Sequence, residues 1–377
     1  MEIHRAIEGR FKKAFRPNKV VLLLGARRTG KTWFLKKMLP KLGTPYMFLN
    51  GEDQATQKML KDRTVANYQG ILGEKKVLVI DEAQKIPEIG WILKLMVDEI
   101  DGLHIIATGS SVFDLTRRMG EPLTGRKTDI HLYPLAQQEF STVETRIETY
   151  AMLQDRLIFG GYPELLHMPG RDEKVDYLRG MVTSYLLKDI LEFDGIRNAN
   201  KLVDLLRMIA FQTGKEVSHD ELSKHLGISK NTVERYLDLL SKVFVIYRIP
   251  GFSRNLRKEI TRHARWYFVD NGIRNALINN FNPLPMRNDV GALWENYVLT
   301  ERLKYQSYTG MSSENYFWRT YQQQEIDWIE EREGNLFAYE CKWNPTKKVK
   351  VPSAWAETYS GAEFRVIKPD AYLDFIT

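Results

Sequence analysis

The sequence predicts an α/β chain of several domains, with a parallel sheet first, a helix-turn-helix unit in the middle and a second sheet at the end. Three observations predict it. A wholly apolar run, Val20 to Leu24, leads straight into the glycine-rich turn GARRTGKT. Residues 201–275 read as helices separated by a glycine, then two strands around a basic loop. The stretch EIDWIEEREGNLFAYECKW, residues 325–343, puts Asp, Glu and Lys on a strand–turn–strand hairpin.

A chain of 377 residues exceeds one ordinary core and divides into several domains. Hydrophobic residues at 43% and charged residues at 27% describe a soluble globular protein and exclude the disordered and fibrous classes. No apolar run approaches the roughly 20 residues that span a bilayer, so no membrane partner is expected. The opening MEIHRAIEGRFKKAF reads as an amphipathic helix without the apolar centre of a secretion signal. Cys341 is the single cysteine, which leaves no internal disulfide and points to a reducing, cytoplasmic setting. The balance of 55 basic and 48 acidic residues, +7 net, is compatible with nucleic acid without establishing it.

The turn after the first strand fits G-x-x-x-x-G-K-[ST], a phosphate-binding loop, from Gly25 through Ala26, Arg27, Arg28 and Thr29 to Gly30, Lys31 and Thr32. Its glycines let the backbone curl so that N–H groups point inward at phosphate oxygens. Lys31 adds positive charge at the β- and γ-phosphates, and the Thr32 hydroxyl suits Mg²⁺. The helix pattern TWFLKKML then aims its positive dipole end at the same phosphates. ATP and Mg²⁺ are therefore the expected ligands.

A second apolar strand, Val77 to Ile80, ends on Asp81 and Glu82, where a parallel sheet presents its ligand-binding edge. Asp81 is expected to hold Mg²⁺ through water, and Glu82 to orient and deprotonate the attacking water. The strand HIIATGSS brings Thr108, Gly109, Ser110 and Ser111, with the Thr108 hydroxyl placed to sense the γ-phosphate. In LTGRKTDIHLYPL, Arg126 precedes another strand and is placed to reach a neighbouring subunit's nucleotide, which implies a homo-oligomer. Arg117 and Arg118 compete for that role.

With GARRTGKT, VLVIDEAQ, ATGSS, LTGR, GGYPE (Gly160–Glu164), FVDNGIRNAL and GALWENYV, the chain resembles AAA-type ATPases of bacteria and archaea that carry a poorly characterised C-terminal region. The resemblance covers nearly the whole length and implies ATP hydrolysis. GGYPE itself reads as a structural corner fixed by Pro163.

In the middle, LVDLLRMIAF is an apolar-striped helix. SHDELSKHLG opens on Ser218 and Glu221 at capping-box spacing and closes on Gly227. ISKNTVERYLDLLSKV follows, capped by Ser229. This is a helix-turn-helix, made winged by the strands VFVIYRI and ARWYFVD. From Arg248 to Arg265, six basic residues oppose the single acid Glu259, a local +5 suited to DNA phosphates. Lys230, Asn231 and Arg235 would face a groove, although Glu234 and Asp238 share their helix and would repel phosphate. A protein-binding module is the alternative.

From Asp289 onward the pattern is helix, three strands, helix, strand. That order, αβββαβ, resembles the restriction-endonuclease-like, PD-(D/E)xK fold. Its acidic positions fall on Glu295, Asp327 and Glu340, with Lys342 two residues on and so on the same strand face as Glu340. Three hard oxygen ligands suit Mg²⁺ or Mn²⁺, which would supply hydroxide with Lys342 assisting. A salt-bridge network in a fold that no longer cuts, or an ordinary β-ribbon with cross-strand charge pairs, stays open.

The expected organisation is an AAA-type domain over 1–140, a helical segment over 141–200, a winged helix over 201–275 and an endonuclease-like domain over 285–377. The expected function is an ATPase that acts on DNA, with a C-terminal domain that cuts or binds it. The alternative is a nucleotide-gated signalling or scaffold protein that binds a protein partner and cuts nothing.

Overall fold

Val20 to Leu24 have no polar side chain to offer water, and all five are buried in a strand flanked on both sides. In the computed structural model, which describes residues 3–110, 123–186, 198–254 and 264–377, that strand is the fourth in a five-stranded sheet. Ser111, Arg117, Arg118 and most of the expected basic loop lie outside the described residues. The chain forms two compact units, one of Arg5–Tyr133 with Lys242–Phe244 and the other of the remainder.

The first unit runs α1 (Glu8–Ala14), β1 (Lys19–Leu24), α2 (Lys31–Met38), β2 (Tyr46–Asn50), α3 (Gln54–Leu60), α4 (Val65–Leu72), β3 (Val77–Asp81), α5 (Ile89–Glu99), β4 (His104–Gly109) and β5 (Lys127–His131). Its strands are all parallel in the order β2-β3-β4-β1-β5. Leu22, Ile80, Leu93 and Ile105, none of them accessible to solvent, belong to the core that covers the sheet. This order sets the C-terminal tips of β1, β3 and β4 side by side, and those tips carry the glycine loop, Asp81 and Thr108. The half-exposed edge strand β2, YMFLN, lacks a continuous buried run and gave no clear signal in the sequence.

The second unit continues with α6 (Gln137–Phe140), α7 (Arg146–Phe159), α8 (Arg171–Gly180), α9 (Ala199–Phe211), β6 (Glu216–Val217), α10 (His219–Leu226), α11 (Lys230–Lys242), β7 (Ile246–Pro250), β8 (Ala264–Phe268) and α12 (Asn271–Leu277). The Ser218 hydroxyl accepts from the Glu221 N–H at 3.4 Å, and the Ser229 hydroxyl from the Thr232 N–H at 3.1 Å, so α10 and α11 start where their caps dictate. Gly227, with φ +63°, closes α10 in the left-handed region. β8 lies between β6 and β7 in a three-stranded antiparallel sheet and is buried along its whole length.

The last elements are α13 (Val290–Thr309), β9 (Glu314–Arg319), β10 (Glu325–Arg332), β11 (Asn335–Cys341), α14 (Ser353–Thr358), β12 (Glu363–Ile367) and α15 (Leu373–Ile376). The sheet order is β12-β11-β10-β9, with β12 parallel to β11 and the other pairs antiparallel. The register between β10 and β9 shifts between Ile326 and Ile329. A bulge of this kind re-aims side chains, and here Ile326, Asp327, Trp328 and Ile329 are all buried.

GGYPE proves to be half of a tertiary lock within this unit. The Asp270 carboxylate caps α12 through the Gly272 and Ile273 N–H groups and also accepts from the Gly161 N–H at 2.8 Å. Gly160, at φ +78°, packs so closely that a Cβ there would run into the same carboxylate. Gly160→Ala is therefore expected to lower stability by roughly 2–4 kcal/mol in urea unfolding, through left-handed strain and overpacking together.

Candidate functional site

The first site sits in the first unit, where the glycine loop leaves β1. Gly25 has no room for a side chain, because a Cβ would collide with the Leu132 carbonyl, while Gly30 takes φ +91°. The Lys31 ammonium is buried and donates to the Gly25 carbonyl at 2.8 Å and the Ala26 carbonyl at 3.0 Å, so it lies inside the curl of its own loop. The Thr29 hydroxyl donates to the same Ala26 carbonyl at 2.9 Å. Arg28 takes φ +65°, and its side chain is exposed, while Arg27 is half-buried. One residue here escaped the sequence reading. Arg5, buried ahead of α1, donates to the Thr29 carbonyl at 2.7 Å and the Tyr133 carbonyl at 2.6 Å, and so fastens the loop from outside. Nothing in its local pattern sets it apart from the other basic residues of the N-terminal helix.

Below the loop, Asp81 collects two hydroxyls. Thr32 donates to its Oδ2 at 2.7 Å and Thr108 to its Oδ1 at 2.5 Å. Thr108 also accepts the Glu82 N–H at 2.9 Å. Glu82 has φ +50°, a left-handed conformation that costs a non-glycine residue on the order of 1 kcal/mol. The bond to Thr108 helps to hold it there. Its carboxylate accepts from Gln84 Nε2 at 2.5 Å. Thr108, the residue expected to sense the γ-phosphate, is fully buried with its hydroxyl engaged by Asp81 and Glu82. It positions the acidic pair. Arg126 is half-exposed, 2.5 Å from Asp98, at the N-terminal end of β5. The loop lies at the other end of that sheet, about 15 Å away by strand length. Arg126 therefore cannot serve the nucleotide site of its own chain.

The loop residues, Thr32 and Asp81 together fit a magnesium-bound triphosphate. They provide an ammonium, a glycine curl, a hydroxyl and a carboxylate within one patch.

A second cluster lies in the second unit. Glu295 from α13, Asp327 from the β10 bulge, and Glu340 and Lys342 from the end of β11 do converge. Two further residues of β8, Arg265 and Tyr267, join them. Arg265 Nη1 lies 3.4 Å from Asp327 Oδ1 and 3.9 Å from Glu295 Oε1, and its Nη2 lies 2.8 Å from Glu325 Oε2. Its guanidinium also packs on the Phe317 ring at 4.7 Å. Tyr267 donates to Glu295 Oε1 at 2.7 Å, and the Cys341 N–H donates to Asp327 Oδ2 at 2.9 Å. Lys342 donates to Glu340 Oε1 at 2.5 Å and lies 3.7 Å from Asp327 Oδ2. The other Glu340 oxygen is buried without a hydrogen-bond partner.

Burial, and next the charge of Asp327, raises the Glu295 carboxyl to about 8 and the Glu340 carboxyl to about 7. Burial opposes the charge on Lys342, but Asp327 and Glu340 outweigh it and hold the ammonium above its ordinary value.

Glu295, Asp327 and Glu340 do not fit a divalent ion in this arrangement, which corrects the expected Mg²⁺ or Mn²⁺ site. Among the described residues, no group of three or more His, Cys, Asp or Glu is placed to hold a metal. The physical reason is Arg265, a buried cation that already stands between Glu295 and Asp327. It belongs to a distant strand, so the spacing within 325–343 could not announce it.

With this geometry in hand, likenesses to known proteins add a coarse frame. Residues 17–141 match the family described as "AAA domain", so this part of the chain is similar to AAA-type nucleotide-binding domains. Residues 150–284 and 290–370 match two families described as domains of unknown function, DUF8612 and DUF4143. An uncharacterized protein of Mycobacterium tuberculosis is 27% identical over 92% of this chain and 75% of its own length. An uncharacterized protein of the archaeon Methanocaldococcus jannaschii is 25% identical over 83% of this chain and 72% of its own. A solved variant of RuvB from Thermotoga maritima overlaps 65% of this chain and 86% of that one at 18% identity, with a TM-score of 0.31, too low to argue from. No helix among the described residues is long and apolar enough to cross a membrane.

Thr108→Val keeps the shape but leaves the Glu82 N–H without its acceptor, and is expected to cost about 1–3 kcal/mol in chemical unfolding. The second cluster makes a prediction about pH. Glu295 and Glu340 bind protons more tightly folded than unfolded, so they stabilise the fold below their ordinary value near 4.5 and lose that contribution as pH climbs through about 7 to 8. The unfolding temperature should fall across that window, and a Glu295→Gln, Glu340→Gln chain should show a flatter profile.

Proposed function

We propose that this chain is an ATP-hydrolysing switch or motor that acts on DNA. One observation carries the hydrolytic part, namely that the Asp81 carboxylate is shared by the Thr32 and Thr108 hydroxyls directly beneath the Lys31 loop. In this reading Gly25 to Thr32 bind ATP, and Thr32 and Asp81 hold the magnesium ion that neutralises phosphate charge. On binding, Lys31 exchanges its two loop carbonyls for phosphate oxygens. Glu82 takes the proton of the attacking water, held in place by Thr108 and Gln84. Arg126 serves the site of an adjacent copy in a homo-oligomer.

For the second unit, the reading is a winged helix over 201–275 followed by a restriction-endonuclease-like domain over 285–377. Support comes from the element order of each and from the antiparallel β7–β8 hairpin beside α11. In this reading the C-terminal domain holds nucleic acid without cutting it, because Arg265 sits against Glu295 and Asp327 and Lys342 against Glu340 Oε1. A protein partner for α11 is the second reading. It is favoured by the Lys230–Asp220 pair at 3.1 Å, which diverts one of the expected phosphate contacts, and by the exposed Glu234 and Asp238.

The test measures ATP turnover with and without DNA, alongside nicking of supercoiled DNA in Mn²⁺. Turnover that rises with DNA, falls roughly a hundredfold or more in Lys31→Ala and leaves the plasmid intact is the expected result. Turnover indifferent to DNA would move the assignment to a protein partner, and full activity in Lys31→Ala would remove the site.

A further inference from the structure

We propose that the cleft between α3 and the start of α5 binds single-stranded nucleic acid and relays its occupancy to Asp81 and Glu82. This deepens the DNA reading above and rests on it. The cleft has a volume of about 420 Å³ and is lined by Lys58, Lys61 and Arg63 on one side and by Glu88 and the buried Ile92 on the other. Three cations and one acid leave the lining at +2. Glu88 is 3.1 Å from Arg63, while Lys58 and Lys61 are both exposed on the rim.

Charge alone would suit any polyanion, and an aromatic residue on the helix that carries the cleft residue Ile92 narrows the choice. Trp91 is 50% exposed on α5, between the cleft residues Glu88 and Ile92, with the Lys94 ammonium 5.4 Å from its ring. An exposed indole with a lysine over it is a face on which an unpaired base can stack while the neighbouring phosphates meet cations. A duplex keeps its bases paired and offers no such face. An acidic peptide would use the lysines and leave the indole without a partner.

The cleft is two hydrogen bonds from the acidic pair. Gln57, which lines it, donates from Nε2 to the Gly51 carbonyl at 2.7 Å. The Gly51 N–H in turn donates to the Asp81 carbonyl at 2.7 Å. Gly51 also abuts the Glu82 carbonyl so tightly that a Cβ would collide with it. A strand that draws on α3 therefore pulls on the backbone that sets Glu82.

The experiment uses the full-length protein, labelled oligo-dT and a salt titration. Lys58→Glu with Lys61→Glu is expected to weaken binding at least about tenfold and to reduce the salt slope by about 1.4, two phosphates at about 0.7 each. Trp91→Ala should weaken binding about fivefold or more, and Lys58→Arg with Lys61→Arg should bind as wild type. Gln57→Leu should bind oligo-dT normally yet lose the DNA stimulation of ATP turnover. If Lys58→Glu with Lys61→Glu and Trp91→Ala bind oligo-dT as wild type while DNA still stimulates turnover, the cleft is wrong and the DNA reading stands. If wild type neither binds nor responds to DNA, both fall. Competition by polyglutamate equal to oligo-dT, with Trp91→Ala unchanged, would assign the cleft to an acidic peptide and overturn the proposal.

Discussion

Everything in the first unit turns on one carboxylate. Asp81 stands at the tip of a strand with no solvent-exposed face, and two hydroxyls from two neighbouring elements meet it there. A buried carboxylate demands such partners, since leaving it unpaired costs several kcal/mol. The demand is met only if β1, β3 and β4 lie adjacent and parallel, in register to within a residue. The strand order is thus the device that brings a loop, an acid and a threonine from three separate stretches of chain to one point.

The second unit obeys the same rule with the opposite outcome. Carboxylates from α13 and β10 also meet, but a guanidinium arrives with them. Arg265 is almost wholly enclosed, and burial works against its charge. Tyr267, Glu295, Asp327 and Glu325 outweigh that burial and keep its pKa above the ordinary range. A cation of this kind cannot be withdrawn cheaply, because its departure would leave the acids facing one another in a dry pocket. The same residues that look like metal ligands in sequence are therefore paired with Arg265, Tyr267 and Lys342 in the fold, with one Glu340 oxygen left unpartnered.

Local structure was legible wherever a residue's neighbours along the chain decide its fate. Ser218 and Ser229 cap their helices, Gly227 ends one, and Gly25 and Gly30 bend the loop, each for reasons confined to a few residues. The expected strands and helices of the last region appear with boundaries close to those read from periodicity. By contrast, the exposed edge strand β2 and the two-residue β6 were not legible, since neither carries a sustained apolar run.

By itself the sequence determined that a phosphate loop follows β1, that acids end β3, and that Glu295, Asp327, Glu340 and Lys342 belong to one set. The loop, the acids after β3 and the Glu340–Lys342 pair follow from spacing, because a strand fixes which face each residue takes and a glycine turn fixes where N–H groups point. Glu295 and Asp327 join that set through the resemblance of the element order. Only the tertiary structure decided what those groups do with one another. Thr108 became a brace for Asp81 and Glu82, Arg5 came to fasten the loop from outside, and Arg265 entered the carboxylates from a strand 30 residues before the first of them. Charge neutralisation in a buried place is a non-local requirement. It is satisfied by whichever cation the fold delivers, and nothing in a short stretch of sequence says which one that is.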